Sequence, residues 1–447
     1  MKSSQKTRRR RPLPDNALAT ITQLSDDGRG ITHINGKVTF VFGALPGETV
    51  LFRYHRTHGS FDEGIALSVA ENPSPARVIP PCPAFSLCGG CSLQHINPLY
   101  QIQHKEKTLM EWIKRTTGKM PPRCLPPMTG PTTQYRYKAR LGARFLRDKD
   151  KFCLGFRERF TRFVTPLTQC AVLVPSIGQH IGRISDVLTT LDNRDHIPQI
   201  EVASGDTQIA LIIRHMQPFS ETDLSRLIQL AQELSVTLYL QPKGPDTVHP
   251  LWPVCPEPLS YTLPDYQLTY QFHPLAFTQV NPAINRQLIP HAVALLNLQP
   301  EDQVLDLFCG LGNFTLPMAR FAKHVTGVEG DEKAVQQARR NAAYNQISNT
   351  DFYVENLFEP KAAEWLNTPY TKVLLDPPRS GAQEIIPYLS RWPLERIVYV
   401  SCNPATLARD LALLETQGFS LEAAGVLDMF PHTDHVESIA VLCNTKI

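Results

Sequence analysis

The stretch from Ile397 to Asp410 reads I-V-Y-V-S-C-N-P-A-T-L-A-R-D and carries Cys402. Ile397 to Val400 is a β-branched and aromatic run, which predicts a buried strand. Asn403 is a good helix N-cap, and Pro404 suits a first helical position, where its missing N–H costs nothing. Cys402 therefore falls at a strand-to-helix junction, beside free backbone donors and the positive end of a helix. That setting is expected to lower the thiol pKa and favour a nucleophilic thiolate. A buried structural cysteine is the plainer alternative.

A second set of cysteines has ligand spacing. Cys82 and Cys88 are followed by Gly-Gly-Cys91, and the two glycines let the backbone fold tightly around one centre. A fourth ligand is needed, and Cys124, Cys153 and Cys170 are the candidates. Zinc, an iron–sulfur cluster and unligated thiols compete. Structural zinc sites are usually built from two close pairs, so three clustered ligands with a distant fourth favour a [4Fe–4S] cluster.

The third chemical feature is a cofactor turn. Gln303 to Leu316, Q-V-L-D-L-F-C-G-L-G-N-F-T-L, reads as a buried strand, a glycine turn and a helix. A second strand from His324 to Val328 ends in Glu329, about 20 residues on, the distance expected of a carboxylate that grips ribose hydroxyls. A nicotinamide dinucleotide and S-adenosylmethionine compete for such a turn. The third glycine of the dinucleotide fingerprint is missing, since Phe314 and Thr315 follow Asn313. Downstream, Val373 to Arg379 is a strand that ends in L-L-D-P-P-R and carries Asp376.

Taken together, D-x-F-C-G-x-G-N-F, the E-G-D turn, V-E-N-L-F, L-D-P-P-R, S-C-N-P-A-T-L-A-R-D and H-T-D-H-V-E-S-I-A-V-L resemble the S-adenosylmethionine-dependent RNA uracil C5-methyltransferases. The resemblance implies Cys402 as the nucleophile and Glu437 as the base. It maps contacts with S-adenosylmethionine onto Gln279, Phe308, Asn313, Glu329 and Asn356, and places Asp376 where cofactor and uracil meet. It also adds weight to Cys170 as the fourth ligand of a [4Fe–4S] cluster with Cys82, Cys88 and Cys91. G-R-G-I and L-P-G-E near the N-terminus are similar to the TRAM module. With the cysteine cluster, that module narrows the resemblance to the branch acting on one uridine of 23S ribosomal RNA. Another 23S uridine, a tRNA, and a non-catalytic RNA-binding assembly factor are the competing readings.

The elements that must position these groups divide the 447-residue chain into four stretches. Residues 1–11 are a basic tail, with Lys6 and Arg8 to Arg11. Residues 12–74, with short strands punctuated by Asp27-Gly28, Asn35-Gly36 and Pro46-Gly47, fit a five-stranded, OB-like β-barrel (TRAM). Residues 75–265 form an α+β middle domain with the iron–sulfur site. Residues 266–447 form a Rossmann-like α/β methyltransferase domain. In the middle stretch Tyr100 to Thr116 reads as an ordinary surface helix, with packing on the catalytic domain across the domain boundary as the alternative, and Tyr135 to Arg140 as a strand with Arg136, Lys138 and Arg140 on one face. Arg157, Arg159 and Arg162 interleave with Phe160 and Phe163, a composition suited to single-stranded RNA. A net charge of +3, 42% hydrophobic residues and ten cysteines argue against a secreted disulfide framework. No segment is long and apolar enough to span a bilayer, so a cytoplasmic protein with no obligate protein partner is expected.

Overall fold

The computed structural model describes residues 13–361 and 363–445. The basic tail at 1–11 lies outside them. The described residues form two compact units: one holds the chain up to Pro81 with Cys91–Gln101 and His432–Asp434, the other Cys82–Gly90, Ile102–Pro431 and the chain from His435.

In the first unit, short β-branched runs make six strands: Ala17–Thr20, Gln23–Leu24, Gly30–Ile34, Lys37–Phe42, Thr49–Thr57 and Phe61–Glu71. Asn35 and Gly36 both take positive φ, 50° and 78°, as a two-residue hairpin turn requires. Hydrogen bonding runs from Ala17–Thr20 through Thr49–Thr57, Phe61–Glu71, Lys37–Phe42 and Gly30–Ile34 to Gln23–Leu24. The first and last strands of that order are consecutive in the chain. Ile21, Val41, Val50 and Phe52 fill the interior. Glu48 of L-P-G-E is buried and paired with Arg77, so within this unit that motif closes an internal ion pair.

The second unit carries an eight-stranded sheet. Its strands run in the order Thr350–Val354, His324–Glu329, Gln303–Leu307, Lys372–Leu375, Arg396–Ser401, Glu437–Asn444, Phe419–Leu427 and Arg123–Cys124. The first five are parallel, and Glu437–Asn444 runs antiparallel between Arg396–Ser401 and Phe419–Leu427. The chain order reverses between Gln303–Leu307 and Lys372–Leu375, and a ligand crevice opens at the carboxyl ends of strands at such a point. A mixed six-stranded sheet, His249–Trp252 to Lys151–Gly155, makes a separate core with the Glu221–Leu234 helix. Ser220 caps that helix by accepting the Asp223 N–H at 3.2 Å.

The first unit's sheet has six strands rather than the five expected, and two further elements sharpen the sequence reading. The Pro98–Thr117 helix is not an ordinary surface helix: Ile102, Leu109, Met110 and Ile113 pack with Leu305, Leu307, Val328 and Tyr399 of the large sheet. The strand expected from Tyr135 begins at Lys138, and its cations are engaged by the protein. Lys138 donates to the Pro274 carbonyl at 3.1 Å, and Arg140 pairs with Glu201.

Candidate active site

The Arg396–Ser401 strand is buried, and the Pro404–Thr416 helix starts directly after it. Asn403 caps the helix through its side-chain oxygen, which accepts the Ala405 N–H at 3.1 Å, with Pro404 in the first turn. The antiparallel register pairs Ser401 with Ser438, so the residues that flank this pair at the strand end, Cys402 and Glu437, come to the same edge of the sheet, where Glu437 acts on the Cys402 thiol. Leu375 ends the neighbouring parallel strand and delivers Asp376 to the same edge.

These groups share one electrostatic environment. Burial and Asp376, against the pull of Lys105, push the Glu437 carboxyl up to about 8. Asp376 is pushed up to about 7 by burial and by Glu329, and Asp306 to about 8 by burial, Asp376 and Glu329. Cys402 does not have the lowered thiol pKa expected at a helix N-terminus. Burial, Glu437 and Asp376 push it up to about 11, outweighing Arg379 and the backbone N–H. The end of the helix offers a partial charge, whereas two carboxyls in a desolvated pocket weigh more.

The glycine turn lies at the end of Gln303–Leu307. Phe308 takes φ +65°, rare for a bulky residue, and its N–H donates to Val328 O at 2.9 Å. A side chain added at Gly310 would meet nothing within 4 Å, so this backbone faces open space. Glu329 is fixed at the rim: its carboxylate accepts the Gly310 N–H at 3.1 Å and the Asp331 N–H at 3.0 Å. Asn356 is exposed and its oxygen accepts the Phe358 N–H. Asn313 is engaged by protein: its oxygen accepts from Tyr261 at 2.8 Å and Asn285 at 3.2 Å, and its amide donates to Asn285 at 2.9 Å. Gln279, with Tyr261, Asn285 and Arg286, lines a small cleft.

The turn and the carboxyls fit S-adenosylmethionine. Open backbone at Gly310 leaves room for a ligand, Glu329 is held rigid at ribose distance, and four neighbouring acids favour a cationic one.

The iron–sulfur expectation is not met in the same way. Among the described residues, no group of three or more His, Cys, Asp or Glu side chains is placed to hold a metal ion. Burial raises the Cys88 thiol, and it raises Cys170, which Cys82 and Cys88 push further. Cys88 Sγ accepts the Gly90 N–H at 3.4 Å. Gly89 and Gly90 serve close packing: a side chain would meet Arg157 O at 2.9 Å or the Phe156 ring at 3.0 Å.

Sequence reasoning missed Lys105. Gln101, Lys105 and Thr108 are buried polar residues at helical spacing on the Pro98–Thr117 helix. A polar stripe continuous with Ile102 and Leu109 was the available signal.

A family model described as tRNA (Uracil-5-)-methyltransferase matches residues 257–359 and 361–445. The 23S rRNA (uracil(1939)-C(5))-methyltransferase RlmD of Hahella chejuensis is 49% identical over 443 residues, 97% of this chain and 99% of that protein. The proteins of the same name from Legionella pneumophila and Alcanivorax borkumensis are 49% and 46% identical, covering 95% and 98% of this chain and 96% and 99% of theirs. In fold, the chain is similar to the crystal structure of Pyrococcus abyssi tRNA (uracil-54, C5)-methyltransferase in complex with S-adenosyl-L-homocysteine. The TM-score is 0.72 at 24% identity, over 95% of this chain and 100% of that one.

Proposed function

Since the chain belongs to the RNA uracil C5-methyltransferase family, among the 23S rRNA (uracil(1939)-C(5))-methyltransferases, we propose that it methylates carbon 5 of uracil 1939 in 23S rRNA through a covalent Cys402 adduct. The observation that carries the mechanism is the electrostatic coupling of Cys402, Glu437 and Asp376 at one edge of the sheet, next to the Ser401–Ser438 strand pair.

Carbon 5 of uracil is a weak nucleophile. Cys402 loses its thiol proton to solvent, and addition of the resulting thiolate to carbon 6 shifts the 5,6 π electrons to make an enolate, whose carbon 5 is nucleophilic. S-adenosylmethionine supplies the methyl group as a sulfonium electrophile. Glu437 then takes the carbon 5 proton, and the C6–S bond breaks to return the thiolate and restore the 5,6 double bond. Glu437 titrates near neutrality, as a base for this step must. Glu329 grips the ribose, Asp376 faces both cofactor and base, and Gln279, Phe308, Asn313 and Asn356 complete the cofactor site. Asn313 contributes through its remaining amide hydrogen or its backbone, given its bonds to Tyr261 and Asn285.

A uracil within folded RNA is inaccessible, so the target is single-stranded or flipped out. The reading gives the first unit, residues 12–74, the role of a TRAM-like barrel on RNA; the chain continuity between the ends of its sheet order supports closure. It places the middle domain at 75–265, the methyltransferase domain at 266–447 and the protein in the cytoplasm with its RNA. Among the described residues no helix is long and apolar enough to cross a membrane.

The reading extends to a structural [4Fe–4S] cluster on Cys82, Cys88, Cys91 and Cys170. The mutual influence of Cys82, Cys88 and Cys170 supports it, and Cys91 enters on spacing. No catalytic step passes through it. Anaerobically purified protein should hold about four iron and four sulfide per chain, and Cys170→Ser should lose them. Iron-free protein with full activity and unchanged melting would remove the cluster from the account.

Methylation mapping of 23S rRNA from a deletion strain tests the target. Uracil 1939 should lose its methyl group and regain it from a plasmid copy. Loss at a different uridine would move the target, and no loss anywhere would overturn the activity.

A further inference from the structure

Lys105 has a place in the site that no ligand-contact or nucleophile role accounts for. It is 1% exposed, and its ammonium donates to Asp428 at 2.8 Å and to the Phe430 carbonyl at 2.9 Å. Asp428 and Phe430 begin the segment that runs from the Phe419–Leu427 strand to Glu437, the first residue of the next strand. Tyr135 donates to the carbonyl of Pro431 in the same segment at 2.9 Å, and Asn281 to that of Met429 at 3.4 Å. The segment is therefore fixed at its start by a buried cation held on a helix packed against the catalytic sheet.

Burying a lysine and an aspartate together is costly unless their remaining hydrogen-bonding capacity is met, and apolar residues of similar size are often as stable. Stability alone is a poor reason for such a pair. The groups facing Glu437 supply another. Asp376 opposes ionisation of Glu437, the Cys402 thiol is electrostatically coupled to it, and the Lys105 charge favours ionisation.

We propose that Lys105 is the positioning residue of the catalytic base: it pins the Asp428–Phe430 segment that directly follows Leu427, the strand partner of Glu437, and provides the cation that favours ionisation of the Glu437 carboxyl for proton abstraction. The proposal rests on Glu437 being the base. Lys105 itself touches neither substrate nor cofactor.

The test is the pH dependence of kcat at saturating RNA and S-adenosylmethionine, which reports groups in the bound complex. Lys105→Met alone would strand the Asp428 charge in the interior, so the variant is Lys105→Met/Asp428→Leu, which removes both charges. Trapping on RNA containing 5-fluorouridine, in which fluorine replaces the carbon 5 proton, checks that the variant is folded and its Cys402 competent. With that adduct formed, the rising limb should move up by about one pH unit, a loss of about tenfold at pH 7 that narrows by pH 9. A limb left in place, or an equal loss at every pH, would overturn the role of Lys105. Glu437→Gln runs alongside: if it keeps wild-type turnover, the base assignment fails instead.

Discussion

Glu437→Gln should form the RNA adduct and then stall, with turnover down by at least ~10²-fold, the usual contribution of a positioned base. The amide cannot take the carbon 5 proton, so the methylated intermediate keeps its C6–S bond and accumulates as protein–RNA complex on denaturing gels. The same substitution should stabilise the unliganded protein at alkaline pH. Folding raises the Glu437 pKa from an ordinary 4.5 to about 8, so the folded state holds the proton more tightly than the unfolded chain. Stability from that group is complete below about pH 4.5 and is lost as pH rises through about 8. Wild type should therefore melt progressively lower from pH 5 to pH 9, and Glu437→Gln should flatten that fall. The gain is at most a few kcal/mol at pH 9 and vanishes at pH 4. Equal pH slopes in the two proteins would contradict the raised carboxyl.

Cys402 should be a sluggish thiol in the free enzyme. A thiol that titrates near 11 is thiolate in about one molecule in 10⁴ at pH 7, against a few per cent for an ordinary cysteine. Alkylation of Cys402 by iodoacetamide at pH 7, followed by peptide mass mapping, should be at least about tenfold slower than that of a model thiol. Asp376→Asn and Glu437→Gln should each speed it, since each removes a carboxyl that opposes the thiolate. A cationic ligand in the acidic pocket should speed it too. S-adenosylmethionine should therefore accelerate alkylation, while S-adenosylhomocysteine, whose sulfur is neutral, should do so less. Alkylation as fast as a free cysteine, unmoved by either substitution, would contradict this electrostatic account.

Local order near the site was legible wherever neighbouring residues decide it. Asn403 and Pro404 announce a capped helix, the preceding β-branched run a buried strand, and the structure has both. The glycine turn and Glu329 were legible for the same reason, because backbone freedom at Gly310 and the length of one strand–helix unit are local. What long-range contacts decide was hidden. Arg123–Cys124 joins the large sheet beside Phe419–Leu427, far along the chain, and no periodicity in two residues could reveal it. The helix macrodipole suggested a depressed Cys402 pKa, but the carboxyls that reverse it arrive from Asp376 and Glu437 on other strands. Lys105 looked like a solvated charge because its partner, Asp428, is over 300 residues away. The basic alternation from Arg136 to Arg140 did not reveal that Lys138 donates to the Pro274 carbonyl, a partner over 130 residues along the chain.

The central claim is a bond between Cys402 and carbon 6 of the target uridine. A 23S rRNA fragment carrying 5-fluorouridine at position 1939 tests it, because fluorine cannot leave as a proton and the adduct cannot resolve. With S-adenosylmethionine, wild type should give a denaturation-resistant complex whose digested peptide contains Cys402 linked to the nucleotide, and Cys402→Ala should give none. A complex formed by Cys402→Ala, or methylation by wild type without any trapped species, would contradict the mechanism.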